Sequence, residues 1–236
     1  MVVDNARRHD ISRLEGFSDA VFGFALTLLV VSLEVPRSYD ELMDLMGGFP
    51  SFACCFALLL WLWWEHNTFF RRYGLQDGVT VLLNGGLLFM ILLYVYPLKF
   101  MFDSMFAQFL VTRRTLVPME LFQLANASAV YAAGFIVMML MFVLLYTRAY
   151  AKRRELGLSE LEVFDLKALR GHHFVSVAVG FVSLTVAMWA PLRFAPFSSM
   201  CLGLMGPGHG LWAVRHNRMR KALEQGLADA PAATLS

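Results

Sequence analysis

The chain has 236 residues, 58% of them hydrophobic and only 16% charged, with a formal net charge of +2. Its mean hydropathy of +0.57 lies far above what a soluble domain of this length needs to fill a core, which excludes an ordinary soluble globule. The near-neutral balance gives no nucleic-acid signal. The composition points to a polytopic membrane protein, each span needing about 20 apolar helical residues to cross roughly 30 Å of hydrocarbon.

The first element carries an oddity. Arg13 to Pro36 reads RLEGFSDAVFGFALTLLVVSLEVP, and the charge-free part runs only from Ala20 to Leu33. To span, it must carry Asp19 and Glu15 into or near the membrane. A cleavable signal peptide is the alternative for a basic start (Arg7, Arg8, Arg13) before an apolar run. Acidic residues crowd that start, however, and no small-x-small site precedes EVPRSYDELMD. The stretch is therefore taken as a span.

Five longer charge-free runs follow: Met46 to Trp64, Gly78 to Leu98, Leu121 to Thr147, Gly171 to Leu192, and Phe194 to Val214. After the third, KFMFDSMFAQFLVTRRTLVP stays apolar through Val111, so that helix is expected to project beyond the bilayer or turn along its surface. Between the fourth and fifth, AKRRELGLSELEVFDLKALR has a Leu/Val spacing that suits an amphipathic surface helix. His172 and His173 open the fifth run and are expected at headgroup level. In the sixth, LGLMGPGHGLW combines glycines with Pro207 and His209, which predicts a kinked helix or close helix contact, with a broken-helix binding site as the alternative. Cys54, Cys55 and Cys201 all fall inside runs and behave as small apolar residues, with no disulfide framework or metal-binding spacing.

Six spans also explain the basic residues. With a cytoplasmic N-terminus, the inside segments hold fifteen Lys and Arg (Arg7, Arg8, Arg13, Arg71, Arg72, Arg148, Lys152, Arg153, Arg154, Lys167, Arg170, Arg215, Arg218, Arg220, Lys221). The outside holds five (Arg37, Lys99, Arg113, Arg114, Arg193). This positive-inside bias emerges only if every run crosses. The expected fold is an all-α integral membrane protein with six transmembrane helices and both termini cytoplasmic. Residues 1–222 form one six-helix domain and 223–236 a short cytoplasmic tail, whose approach, VRHNRMRKALEQGL, reads as a lipid-headgroup anchor.

The topology brings three polar clusters to one level. Arg13, Glu15, Ser18 and Asp19 begin the first span, Glu65 and His66 end the second, and Asp77 and Asn84 begin the third. Ionisable residues in a span are costly and face a bundle interior or a watery path. Two readings stand: the cluster packs the first three helices, with His66 beside Trp63 and Trp64 in an aromatic belt, or it is a polar network that fixes the first helix and senses protons.

These residues carry a family resemblance. Arg13-Leu-Glu-Gly-Phe17-Ser18-Asp19, the following Ala/Thr-Leu-Leu run to Val35-Pro36, then Trp63-xx-His66-xxx-Phe70, Asp77, Asn84 and Pro97 resemble the transmembrane protein 175 family in order and spacing. That family comprises the endolysosomal potassium channel of animals and shorter prokaryotic homologues. The resemblance covers Arg13 to about Pro97. It implies a homotetramer of six-helix subunits with four copies of the first helix lining a central pore. It also implies a structural polar network behind that helix, drawn from Arg13, Phe17, Ser18, Asp19, His66 and Asn84. The pore would be constricted by mainly aliphatic rings, without a carbonyl filter of the Thr-Val-Gly-Tyr-Gly kind.

Steps of three and four along the first helix give Phe24, Thr27, Val31 and Glu34 on one face, bordered by Leu28 and Ser32. As four-fold rings these are an aromatic collar, a hydroxyl ring where K⁺ would dwell transiently, an aliphatic collar and a carboxylate ring. Ordinary helix packing is the alternative meaning of such a stripe. Phe24 departs from the aliphatic residue usual in the family. The leading expectation is a passive, potassium-favouring cation channel in the inner (plasma) membrane of a prokaryote, with no cofactor, no resident metal and no enzymatic activity. Its partners are the lipid bilayer, monovalent cations and three further copies of itself. The alternative is a proton-coupled secondary transporter or exchanger using Asp19, His66 and His209. An intramembrane enzyme lacks a nucleophile and base at credible spacing.

Overall fold

A computed structural model describes residues 12–109, 121–189, 214–222 and 224. Everything in it that is regular is helical. In chain order the helices are α1 (Arg13–Val31), α2 (Tyr39–Gly47), α3 (Phe49–Tyr73), α4 (Gly78–Phe109), α5 (Leu121–Ala151) and α6 (Glu160–Trp189), and residues 214–222 are again helical. The chain divides into two compact units, Met1–Glu120 and Leu121–Ser236.

In the first unit, α1 packs against both α3 and α4, and α3 against α4. Ser12 sets the start of α1 through a capping box: its hydroxyl accepts from the Glu15 amide at 3.1 Å, and Glu15 Oε2 accepts from the Ser12 amide at 2.8 Å. The box thus satisfies two orphan donors reciprocally, and the Glu15 carboxylate lies at the positive end of the helix dipole, which accounts for one of the seemingly misplaced charges. Val21, Phe22, Ala25 and Leu29 face the interior. At the other end the Ser32 amide closes the helix on the Leu28 carbonyl, and Lys99 Nζ on α4 donates to the Ser32 carbonyl at 2.9 Å. A cation at a helix C-terminus satisfies an orphan acceptor and opposes the negative dipole end.

The run Met46 to Trp64 is not one element. Gly48 ends α2 and starts α3, Pro50 stands in the first turn of α3, and the two helices are bent by 46°. Proline fits a first turn because its missing N–H would be unsatisfied there anyway. The third run extends well past Leu98, as α4 continues through Pro97 to Phe109. At 1.5 Å per residue its 32 residues reach about 48 Å, more than a bilayer core requires.

In the second unit, α5 and α6 form a long packed pair. No separate surface helix precedes α6, contrary to the spacing argument. Ser159 caps a helix that starts at Glu160 and runs unbroken through Gly171 to Trp189. Most of residues 160–170 are strong helix formers and none is proline, so the charged segment simply prolongs the apolar one. His173 faces the helix pair rather than the surroundings. It is fully buried and stacked against Phe142, with ring centres 4.9 Å apart, and against Tyr146 at 5.3 Å. His172 is half-buried beside it.

Four of the described helices are long and apolar enough to cross a membrane, and five if α2 and α3 count as one bent span. The protein is a multi-pass membrane protein. The sixth run, with Cys201, Pro207 and His209, lies outside the described residues, as do Arg113, Arg114 and the tail beyond residue 224.

Candidate functional site

The polar residues of the first unit resolve into two small networks at one end of α1. Ser18, buried, donates its hydroxyl proton to the Leu14 carbonyl at 2.8 Å. Its oxygen accepts from Asn84 Nδ2 at 2.9 Å, and the Asn84 Oδ1 lies 2.7 Å from His66 Nε2. One hydroxyl, one amide and one imidazole thus join α1, α4 and α3 in a chain whose three members are all buried. A buried amide with both ends satisfied fixes two neighbours at once. The His66 ring also meets Phe22 of α1 edge-on at 5.5 Å and Phe70 at 4.6 Å, so it sits buried in the helix interface.

The second network is the indole of Trp63, which donates to Asp19 Oδ1 at 2.8 Å. An indole has one donor and no acceptor, and a carboxylate within reach is its natural partner. Asp77 serves α4 itself: its carboxylate accepts from the Val79 amide at 3.2 Å and the Thr80 hydroxyl at 2.7 Å, capping the helix. Arg13 and Phe17 stand on the exposed side of α1, Phe17 at 61% exposure. The Arg13 side chain makes no hydrogen bond or ion pair to another described residue. Among the described residues no group of three His, Cys, Asp or Glu could hold a metal ion.

Opposite the packed face of α1 lies a continuous exposed face. Phe24 is 66% and Val31 70% exposed, Thr27 is exposed between them, and Leu28 is half-buried at the edge. Gly16, Ala20 and Gly23 share this side, and a Cβ added at either glycine would meet nothing within 4 Å. The Thr27 hydroxyl donates to the Gly23 carbonyl at 2.9 Å. With its proton committed inward, the oxygen offers only lone pairs outward, which suits a cation. The outward face of α4, by contrast, presents Leu82, Phe89, Leu93 and Tyr96, a bulky apolar surface made for acyl chains or another helix. Glu34 does not continue the α1 stripe by helical register. The helix ends at Val31 and Ser32 caps it, so Glu34 stands exposed in the connection beyond.

The family match falls on this same unit, and the longer relatives and solved structures extend over most of the chain. The family described as the endosomal/lysosomal potassium channel TMEM175 matches residues 13–95. A protein of Marivirga tractuosa named a potassium channel is 37% identical over 192 residues, 76% of this chain and 76% of that one. The chain belongs to the TMEM175 family. A potassium channel of Chamaesiphon minutus is 24% identical over 202 residues, 79% of this chain and 92% of its own. Among solved structures, a variant of the potassium channel MtTMEM175 bound to a nanobody fusion superposes with a TM-score of 0.77 at 33% identity, covering 92% of this chain and 96% of that one. The lysosomal potassium-selective TMEM175 homolog from Chamaesiphon minutus gives 0.59 at 22% identity over 87% and 97%, a likeness of fold. The TMEM175 match ends within α4, so the second unit enters the likeness through the longer relatives.

Proposed function

We propose that this chain is one of four identical subunits of a potassium-favouring cation channel, with the exposed face of α1 lining a shared central pore. Six spans per subunit and cytoplasmic termini complete the reading, in the plasma membrane of a prokaryote. That the protein is a potassium channel rests on relatives so named across three quarters of its length.

The observation that carries the pore assignment is the asymmetry of α1. One face is buried and hydrogen-bonded into α3 and α4 through Ser18, while the other carries small residues, one hydroxyl and two bulky apolar side chains that stand exposed among the described residues. Four copies facing an axis would make an aromatic collar at Phe24, a ring of hydroxyl oxygens at Thr27 and an aliphatic collar at Val31. Apolar collars gate by dewetting, and a hydroxyl ring replaces part of the hydration shell of a passing K⁺. The Ser18–Asn84–His66 chain and the Asp19–Trp63 pair hold the rear of α1, so the ring dimensions stay fixed while ions pass.

Reversal potentials across bilayers with asymmetric K⁺ and Na⁺ test this reading. A channel gives current that reverses close to the K⁺ equilibrium potential with no proton gradient. Current that requires a proton gradient would instead mark a proton-coupled exchanger using Asp19 and His66.

A further inference from the structure

The turn between α5 and α6 gathers positive charge around one ring. Arg153 Cζ lies 4.4 Å, Arg170 Cζ 5.2 Å and Lys167 Nζ 5.6 Å from the centre of the Tyr150 ring. The three cations therefore lie within roughly a Debye length, about 10 Å, of one another. An aromatic face attracts a cation, yet one ring does not neutralise three.

The nearby carboxylates serve other groups. Glu155 pairs with Lys152 at 2.8 Å, Glu162 caps α6 through Ser159, and Asp165 lies 3.2 Å from both His216 and Arg220. Glu160 opens α6, where an acid complements the dipole. Among the described residues none forms an ion pair with Arg153, Lys167 or Arg170.

Two further observations indicate what would. The turn joins two helices that are both long and apolar enough to span, so it lies at one membrane face. Beside the cluster, and sharing Lys167 with it, a cavity of about 440 Å³ is lined by Phe164, Ala168, Arg215, His216 and Met219.

We propose that Arg153, Lys167 and Arg170 around Tyr150 bind the phosphate of an anionic phospholipid headgroup, with the adjoining cavity taking apolar atoms of the same lipid. Arg170 offers paired N–H donors to phosphate oxygens, Arg153 offers those left by its 3.0 Å bond from Nη1 to the Tyr150 carbonyl, and the lysine adds a point charge. A free phosphate would satisfy the charges and leave the apolar lining of the cavity unused. The site belongs to the second unit and its test does not depend on conduction.

Native mass spectrometry of the full-length protein, supplied with phosphatidylglycerol or phosphatidylcholine, reads the outcome directly. The wild type is expected to retain phosphatidylglycerol in preference. Each of Arg153→Gln, Lys167→Gln and Arg170→Gln should weaken that retention by roughly fivefold, the worth of one cation near a lipid phosphate. Excess inorganic phosphate should not displace the lipid. Equal retention of the two lipids by the wild type, or undiminished phosphatidylglycerol binding in the variants, overturns the proposal. Displacement by inorganic phosphate also overturns it, marking a soluble-anion site. Lys167→Gln replaces an exposed side chain and carries the test where an arginine variant fails to fold. Lys167→Arg keeps the charge and should keep the lipid.

Discussion

Asn84 is the residue on which the placement of α1 turns, because a single amide answers both Ser18 and His66. In Asn84→Ala both partners stay buried while losing a hydrogen bond. Leaving such groups unsatisfied costs about 1–3 kcal/mol, so thermal unfolding in detergent should shift to lower temperature. An unchanged transition would mean that packing of Phe22 and Leu29 alone seats the helix. Thr27 acts on the other face. Thr27→Val keeps the shape but replaces the outward oxygen with a methyl, so the preference for K⁺ over Na⁺ should fall with the subunit still folded. Permeability ratios identical to the wild type would place Thr27 away from the ions. The sequence shows that Ser18, Asp19, His66 and Asn84 lie at one depth, since depth follows from helix order and position. Which donor meets which acceptor depends on azimuth around each helix, and the pairing of Asp19 with Trp63 rather than with a charged group was invisible for that reason. The burial of His173 is not legible in the sequence either, because a position at the edge of an apolar run says nothing about which side it faces.

At the scale of elements, α5 and α6 approach closely where Gly180 faces Ile136. A Cβ placed at Gly180 would stand 2.6 Å from Ile136 Cγ1 and 3.2 Å from Phe135 Cδ1. Isoleucine in a helix has essentially one χ1 rotamer and yields little. Gly180→Ala should therefore force the pair apart and destabilise it by about 1–3 kcal/mol, the usual cost of overpacking. Small residues matter especially between membrane helices, where close contact is itself the attraction. Limited proteolysis of the 152–159 turn should become faster in the variant, whereas Gly78→Ala, open around its Cβ, serves as the neutral control. Most helices could be read from length and hydropathy. Their ends could not, because those are set by local chemistry: Gly48 and Pro50 divide α2 from α3, Ser159 starts α6 three turns early, and the Ser32 cap stops α1 short of Glu34.

For the whole assembly the relevant quantity is the field at the mouth of the proposed pore, where four subunits would contribute equally. Each brings an exposed Glu34 just beyond the C-terminal end of α1, and each helix end adds the partial negative charge of its dipole. Lys99 binds the Ser32 carbonyl and opposes part of that charge, being itself half-buried. The balance attracts cations from solution, and such attraction is a surface-concentration effect that weakens as the Debye length shrinks from about 30 Å at 0.01 M to about 3 Å at 1 M salt. Glu34→Gln in every subunit should consequently lower inward K⁺ current at low ionic strength and leave it nearly unchanged at high. The variant in one subunit of four should give an intermediate loss, because the potentials of a ring add. Single-channel current measured against KCl concentration decides the matter. A loss that persists at high salt would assign Glu34 to a direct ion contact, and no loss at any concentration would place it off the conduction axis, since the loop after Ser32 and not helical register sets its direction.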